Sequence, residues 1–245
     1  MVNTVLFDLD GTLLRMGQKE FLDAYISRLS KIFDRLGYES KPAIDALWAG
    51  TYAMAKNDGL KLNKERFWNT FSKCLNLSEK DVAAAEAACD SFYTKEFDEV
   101  KSIVESSDIS TELVRDMIER GFQVVLATNP LFPACAVETR LSWINLSISD
   151  FSHVTHYGNS SFCKPNLGYY EQILKTVKRE PHECLMVGNN PSEDMIACSL
   201  GIEGFLVSGY VEGETLSGDL EYREGSLEDL AVYFESFRLI THENA

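Results

Sequence analysis

Asp8-Leu9-Asp10-Gly11-Thr12-Leu13 closes a short apolar run and sets two carboxylates two residues apart. On an extended chain residues at that spacing point to the same side. A nucleophile and a proton donor would then stand together, with a divalent cation offsetting their repulsion. An Asp-Gly pair between apolar runs is also a hairpin signal, which would do no chemistry. Three further segments weigh against the hairpin. Thr128-Asn129 offers a hydroxyl and backbone donors to a phosphate oxygen, or else caps a helix ahead of Pro130 and Pro133. Lys164-Pro165 places a lysine where Pro165 could open a helix, although a solvated surface lysine would look the same. Gly188-Asn189-Asn190-Pro191-Ser192-Glu193-Asp194 brings carboxylates to a fourth strand end, where a plain turn and helix start would read similarly.

In this order, each at the carboxyl end of a successive apolar run, the four segments resemble the motifs of the haloacid dehalogenase superfamily of phosphatases. Those motifs run Asp-x-Asp-Gly-Thr, then Thr or Ser, then Lys, then an acidic Gly-Asp-type segment. The likeness spans residues 8–194, with helices where that family carries its cap. It implies that Asp8 is the nucleophile forming an aspartyl-phosphate, and that Asp10 protonates the leaving alkoxide and then activates water. It further implies that Thr128 and the Asn129 backbone hold phosphoryl oxygens while Lys164 offsets their charge. Magnesium (Mg2+) would be bound by Asp8, the Asp10 main-chain carbonyl and the fourth motif. There the chain departs from the pattern, because Asn189 replaces the usual Asp. Asn189 still offers an amide oxygen, and Asp194, or failing that Glu193, would supply charge directly or through water, which implies weaker magnesium binding. The dehalogenase branch can also carry Asn in this region, but it lacks the second Asp of the first motif and works without metal, so Asp10 opposes dehalogenation. The resemblance therefore implies a magnesium-dependent phosphatase of a small phosphorylated metabolite. The alternatives are a phosphomutase or phosphotransferase, or a phosphate-binding regulatory protein with weakened turnover.

These residues need a scaffold. Residues 2–9 read as a buried strand ending at Asp10-Gly11. Residues 18–38 change to helical period, with Phe21, Leu22, Tyr25, Leu29 and Phe33 on one face and Gly37 as the stop. Helices follow over 43–56, 64–75 and 81–97, the last opened by Ser78 and Asp81 in the spacing of a capping box. After a helix at 110–120, strands at 122–127, 151–156, 183–187 and 204–207 alternate with helices at 134–141, 167–178 and 192–200. A surface loop over 208–225, including Gly218, precedes a closing helix at 227–237. Such alternation predicts an α/β fold, a three-layer Rossmann-like core with a mainly parallel sheet. The four helices near 18–98 break the alternation and predict an inserted all-helical cap over 16–99, between core segments 1–15 and 100–245.

Composition sets the outer limits. The 245 residues are 45% apolar and 25% charged, ordinary values for a globular chain. With 23 basic against 38 acidic residues the net charge is -15, which repels nucleic acid polymers and anionic membrane surfaces. The sequence lacks a membrane-length apolar run and a basic, apolar leader, and its six cysteines are scattered without a C-x-x-C pair. Reduced thiols and a cytoplasmic location are therefore expected. His153 and His156, three apart on a strand, should face opposite ways rather than share a metal. Cys163 beside Lys164 is expected to be an unreactive thiol, and Trp48, Tyr52 and Trp68 are expected in the cap's core. Arg15, Met16, Gly17, Tyr25 and Trp48 are candidates for a substrate wall.

Overall fold

The computed structural model describes residues 2–214 and 220–235. Six strands are described: β1 (Thr4–Phe7), β2 (Gln123–Leu126), β3 (His153–Val154), β4 (Cys184–Gly188), β5 (Glu203–Val207) and β6 (Arg223–Gly225). They form one sheet in the order β3-β2-β1-β4-β5-β6, and every pairing is parallel. Strand side chains alternate between two faces. Val5, Phe7, Val124, Leu126, Leu185 and Val187 join the larger core, whereas Leu6, Val125 and Met186 join the smaller one.

Helices cover both faces. On the larger side lie α5 (Ile109–Glu119), α6 (Ala134–Ser142) and α8 (Leu227–Glu235), with Val114, Met117, Leu141 and Phe234 turned inward. The smaller side is closed by α7 (Leu167–Val177), through Tyr170 and Ile173, and by a 3-10 turn at Met195–Leu200. This is the expected three-layer α/β core.

Between β1 and α5 the chain leaves the sheet to form α1 (Gln18–Arg35), α2 (Ser40–Ala55), α3 (Asn63–Leu75) and α4 (Glu79–Lys95), followed by a 3-10 segment at Phe97–Ile103. The expected helical insertion is present. Aromatic contacts knit it together, Phe33 on Phe71 between α1 and α3 and Tyr25 on Phe92 between α1 and α4. Asp81 N–H donates to Ser78 Oγ at 3.3 Å and Ser78 N–H to Asp81 Oδ2 at 3.1 Å, so the capping box forms. Tyr93 O accepts from the Thr139 hydroxyl at 2.8 Å, which ties α4 to α6.

Several expectations change. The segment 208–225 is not all loop, because Arg223–Gly225 adds an edge strand through backbone pairing, and an Arg-Glu-Gly triplet carries no apolar signal. Residues 192–200 do not start a helix at Ser192. Asn190 Oδ1 accepts from Ser192 N, Ser192 Oγ and Glu193 N, an Asx-type turn that delays the helical turn to Met195. The strand expected at 151–156 shortens to two residues because the Asn159 side chain takes Val154 O and His156 N. Pro165 does not open α7, whose cap is Asn166 with Oδ1 accepting from Gly168 N. Trp68 is buried as expected, but Trp48 and Tyr52 are 45% and 65% exposed, because the face that α2 buries is Ala43, Ala46, Leu47, Gly50 and Met54. Gly218 and the last two residues of the closing helix expected at 227–237 lie outside the described residues.

Candidate active site

Three strand ends reach one level. Phe7 is in register with both Leu126 and Val187, so Asp8, Thr128 and Asn189 leave the sheet at the same edge. Asp8 N–H still donates to Val187 O at 2.9 Å, which fixes its backbone to β4. The chain then reverses, Leu14 N–H donating to Leu9 O at 2.8 Å and Gly11 N–H to Leu14 O at 2.8 Å. Gly11 has φ +82°, and a Cβ there would overlap the Asn189 side chain, so the turn needs glycine twice over.

Lys164 comes up from beneath. It is 3% exposed and donates to Asp8 Oδ1 at 2.7 Å and to Asp194 Oδ1 at 2.6 Å. Burial disfavours the ammonium most, yet the Asp194 and Asp8 carboxylates together hold its pKa well above the ordinary lysine value. Burial pushes Asp194 up to about 7, with Lys164 pulling against it. Asp194 Oδ2 accepts from Asn190 N at 3.0 Å, so both its oxygens are engaged. A Cβ on Gly188 would overlap this carboxylate, and that glycine is what lets Asp194 lie against β4.

The Thr12 hydroxyl lies 3.3 Å from Asp8 Oδ2 and 3.1 Å from Asn189 Oδ1 and can donate to either. Asn189 Nδ2 donates to Tyr210 O at 2.6 Å, which turns the amide oxygen toward Thr12 and Asp8. The carboxylate oxygen and the amide oxygen thus converge. Asp10 Oδ2 takes the Arg140 Nη1 donor, while Asp10 Oδ1 is buried without a hydrogen-bond partner. Burial raises the Asp10 pKa above the ordinary carboxylate value, Arg140 works against that rise, and the Asp8 charge adds to it.

Thr128 is held through its carbonyl, which accepts from the Thr155 hydroxyl at 2.6 Å and the Tyr169 hydroxyl at 2.9 Å. Asn129 Nδ2 donates to Glu193 Oε2 at 3.0 Å, and Asn129 Oδ1 has no partner. Asp8, Asp10, Thr128, Asn129, Asn189 and Asp194 all border one cavity of about 150 Å³. Of the candidate wall residues, Met16 borders this cavity, Tyr25 and Trp48 border a neighbouring apolar cleft, and Arg15 pairs with Glu105.

Arg140 was not among the candidates, and a signal for it existed. Ala136, Val137, Arg140 and Leu141 form the buried face of α6, so a guanidinium sits on an apolar stripe and needs a partner. Asn63 is the second such residue. Fully buried on α3, it donates through Nδ2 toward Pro130 O at 3.3 Å and Phe162 O at 3.2 Å, tying the insertion to the loops that carry Thr128 and Lys164. No group of three His, Cys, Asp or Glu side chains suited to a metal occurs among the described residues, His153 and His156 included. Asp10 is turned to Arg140 and Asp194 to Lys164, while Asp8 Oδ2 and Asn189 Oδ1 both face the Thr12 hydroxyl. Cys163 is buried, and that burial pushes its thiol up to about 12.

A family model for haloacid dehalogenase-like hydrolases matches residues 2–199. The chain belongs to that family. A pyrophosphatase, PpaX, of Bacillus cereus (strain G9842) is 23% identical over 218 residues, which covers 86% of either chain. Among solved structures, a 2-haloacid dehalogenase from Pseudomonas syringae pv. Tomato DC3000 superposes with a TM-score of 0.61 at 15% identity, covering 96% of this chain and 99% of that one. The HAD-hydrolase YfnB from Bacillus subtilis, described as bound to magnesium, superposes at 0.55 with 17% identity, covering 95% and 98%. These superpositions show the shared fold, and the family match makes the chain a haloacid dehalogenase-like hydrolase, as its four motifs led one to expect.

Proposed function

We propose that this hydrolase is a phosphatase of a small phosphorylated metabolite. In this reading residues 16–99 form the cap, and 1–15 with 100–245 form the catalytic core. The observation that carries it is the pairing at the sheet edge. Asp8 is fixed by Lys164 and Thr12, and Asp10 and Thr128 border the same cavity, Asp10 with one carboxyl oxygen that has no partner. Asp8 attacks phosphorus, the ester P–O bond breaks, and the departing alkoxide takes its proton from Asp10. Water then attacks the aspartyl-phosphate, Asp10 recovers a proton, and phosphate leaves with Asp8 restored. Burial suits Asp10 to this role by favouring its neutral, proton-carrying form. Thr128 and the Asn129 backbone hold the phosphoryl oxygens, and Lys164 balances the charge behind Asp8.

The residues present fit a magnesium ion. Asp8 Oδ2 and Asn189 Oδ1 converge on Thr12, and hard oxygen donors with few carboxylates are what magnesium accepts. Asp8, the Asp10 main-chain carbonyl and Asn189 would hold it, and the ion would supply positive charge to the phosphoryl group. Asp194 stands behind this set, its charge absorbed by Lys164. The magnesium described for the Bacillus subtilis neighbour supports the assignment. The pyrophosphatase relative supports hydrolysis over phosphoryl transfer, and dehalogenation would have no use for Asp10.

Hydrolysis of p-nitrophenyl phosphate with a magnesium titration tests the reading. Wild type should show magnesium-dependent turnover that Asp8→Asn abolishes, and Asn189→Asp should saturate at lower magnesium. Turnover that survives Asp8→Asn overturns it.

A further inference from the structure

Beside the polar cavity lies a second, apolar cleft of about 90 Å³, walled by α1, α2, α3, α4, the loop after Asn129 and Tyr157. Leu22, Leu131 and Phe132 border both spaces, so the two meet at these side chains. The chain makes that adjacency unavoidable. Leu131 N–H donates to Asn129 O at 2.8 Å, a tight three-residue turn that places Leu131 and Phe132 directly past Thr128-Asn129. The Phe132 ring is fixed by the Arg140 guanidinium 4.4 Å above it and by edge contacts to Tyr25 and Tyr93. At the far side Trp68 is buried. Its indole N–H lies near the Tyr157 hydroxyl without reaching hydrogen-bond geometry with any acceptor.

Charge restricts what can enter. The cleft wall includes the Asp90 carboxylate and, among the described residues, no cation, and the border of the polar cavity likewise carries no Lys or Arg. A second phosphate or carboxylate would meet aromatic rings and an acid, and the nearby Arg140 guanidinium lies behind Phe132 and is already paired with Asp10. An apolar group would instead gain burial against Leu22, Leu131 and Phe132.

We infer that the substrate is a phosphate monoester of an uncharged, apolar alcohol of about ring size, its phosphate at Asp8 and Thr128 and its organic part in the cleft. This rests on the phosphatase reading and narrows it away from pyrophosphate, bisphosphates and phosphorylated acids.

The test is a series of n-alkyl phosphates from ethyl to hexyl, whose leaving groups are of nearly equal basicity, so that differences report binding rather than bond breaking. Each methylene entering the cleft should raise kcat/KM about fourfold. Thr51→Phe, which projects a ring into the cleft from α2, should flatten the series. Calorimetry on Asp8→Asn with the same esters reads the cleft without turnover, and the dissociation constant should tighten about fourfold per methylene, with a negative heat-capacity change. Turnover with a flat series, or a series indifferent to Thr51→Phe, overturns the inference while leaving the phosphatase standing. Chain-length-dependent binding without turnover in wild type supports the cleft and counts against the phosphatase reading.

Discussion

Two cavities a few residues apart are built on opposite principles. Around Asp8 every polar atom but a few is committed. Lys164 holds two carboxylates, Thr12 faces two oxygens, and Tyr169 and Thr155 both grip Thr128 O. The space among α1, α2, α3 and α4 is walled mostly by apolar side chains and rings in contact, with few polar pairs such as the Tyr25 and Tyr93 hydroxyls at 2.6 Å and an indole N–H left over. Buried charges fix geometry because any displacement leaves one unpaired, whereas an apolar wall tolerates different occupants of similar size. The polar cavity is accordingly suited to an invariant group, the phosphate, and the apolar one to the part of the ligand that varies.

The sharpest way to break the contrast is to remove its central cation. Lys164→Met strands Asp8 and Asp194, whose side chains are 10% and 1% exposed. Unfolding free energy should fall by about 3–5 kcal/mol, as for other buried pairs that lose one partner. Urea titration checks this, and a loss below about 1 kcal/mol would mean that the carboxylates are not held by Lys164.

A smaller effect is expected where the two cavities touch. Arg140 grips Asp10 on one side and covers Phe132 on the other. Arg140→Met should let the Asp10 carboxyl lose its aim, lowering kcat/KM about 10- to 100-fold for an alkyl phosphate, whose leaving group needs a proton. With p-nitrophenyl phosphate, whose phenolate leaves readily unprotonated, the drop should be much smaller. Equal losses on both substrates would assign Arg140 to general structure rather than to Asp10.

The polar cavity was far more legible in the sequence than the apolar one. Asp8, Asp10, Thr128 and Asn189 lie within a few residues of the ends of apolar runs, and a parallel sheet gathers such strand ends at one edge whatever the loops do, whereas Lys164 is reached only through the loop after β3. The sheet itself was readable from the same runs. What stayed hidden depends on contacts between distant segments. Arg140 lies 130 residues from Asp10, and its helix face only hinted at a buried partner. The edge strand Arg223–Gly225 has no side-chain pattern, being defined by backbone pairing alone. The cleft joins residues from four helices and two loops, and local periodicity marks Leu22 and Phe67 as inward without saying that a gap remains between them.

That gap supplies the smallest and most diagnostic effect. A dry void forfeits dispersion contacts along its walls, so a side chain that fills it without strain should stabilise the fold. Thr51 is half-buried on α2, and its hydroxyl serves only the Leu47 carbonyl of its own helix, so replacing it leaves no unmet partner elsewhere. Thr51→Phe should therefore raise the unfolding free energy by about 1 kcal/mol, read as a shift in urea midpoint at constant slope. The same substitution is expected to erase the preference for longer alkyl chains, a gain in stability traded for selectivity. If instead it destabilises by about 1–3 kcal/mol, as overpacking does, the walls do not admit a ring, and the partition at Phe132 separates the phosphate cavity from ordinary core.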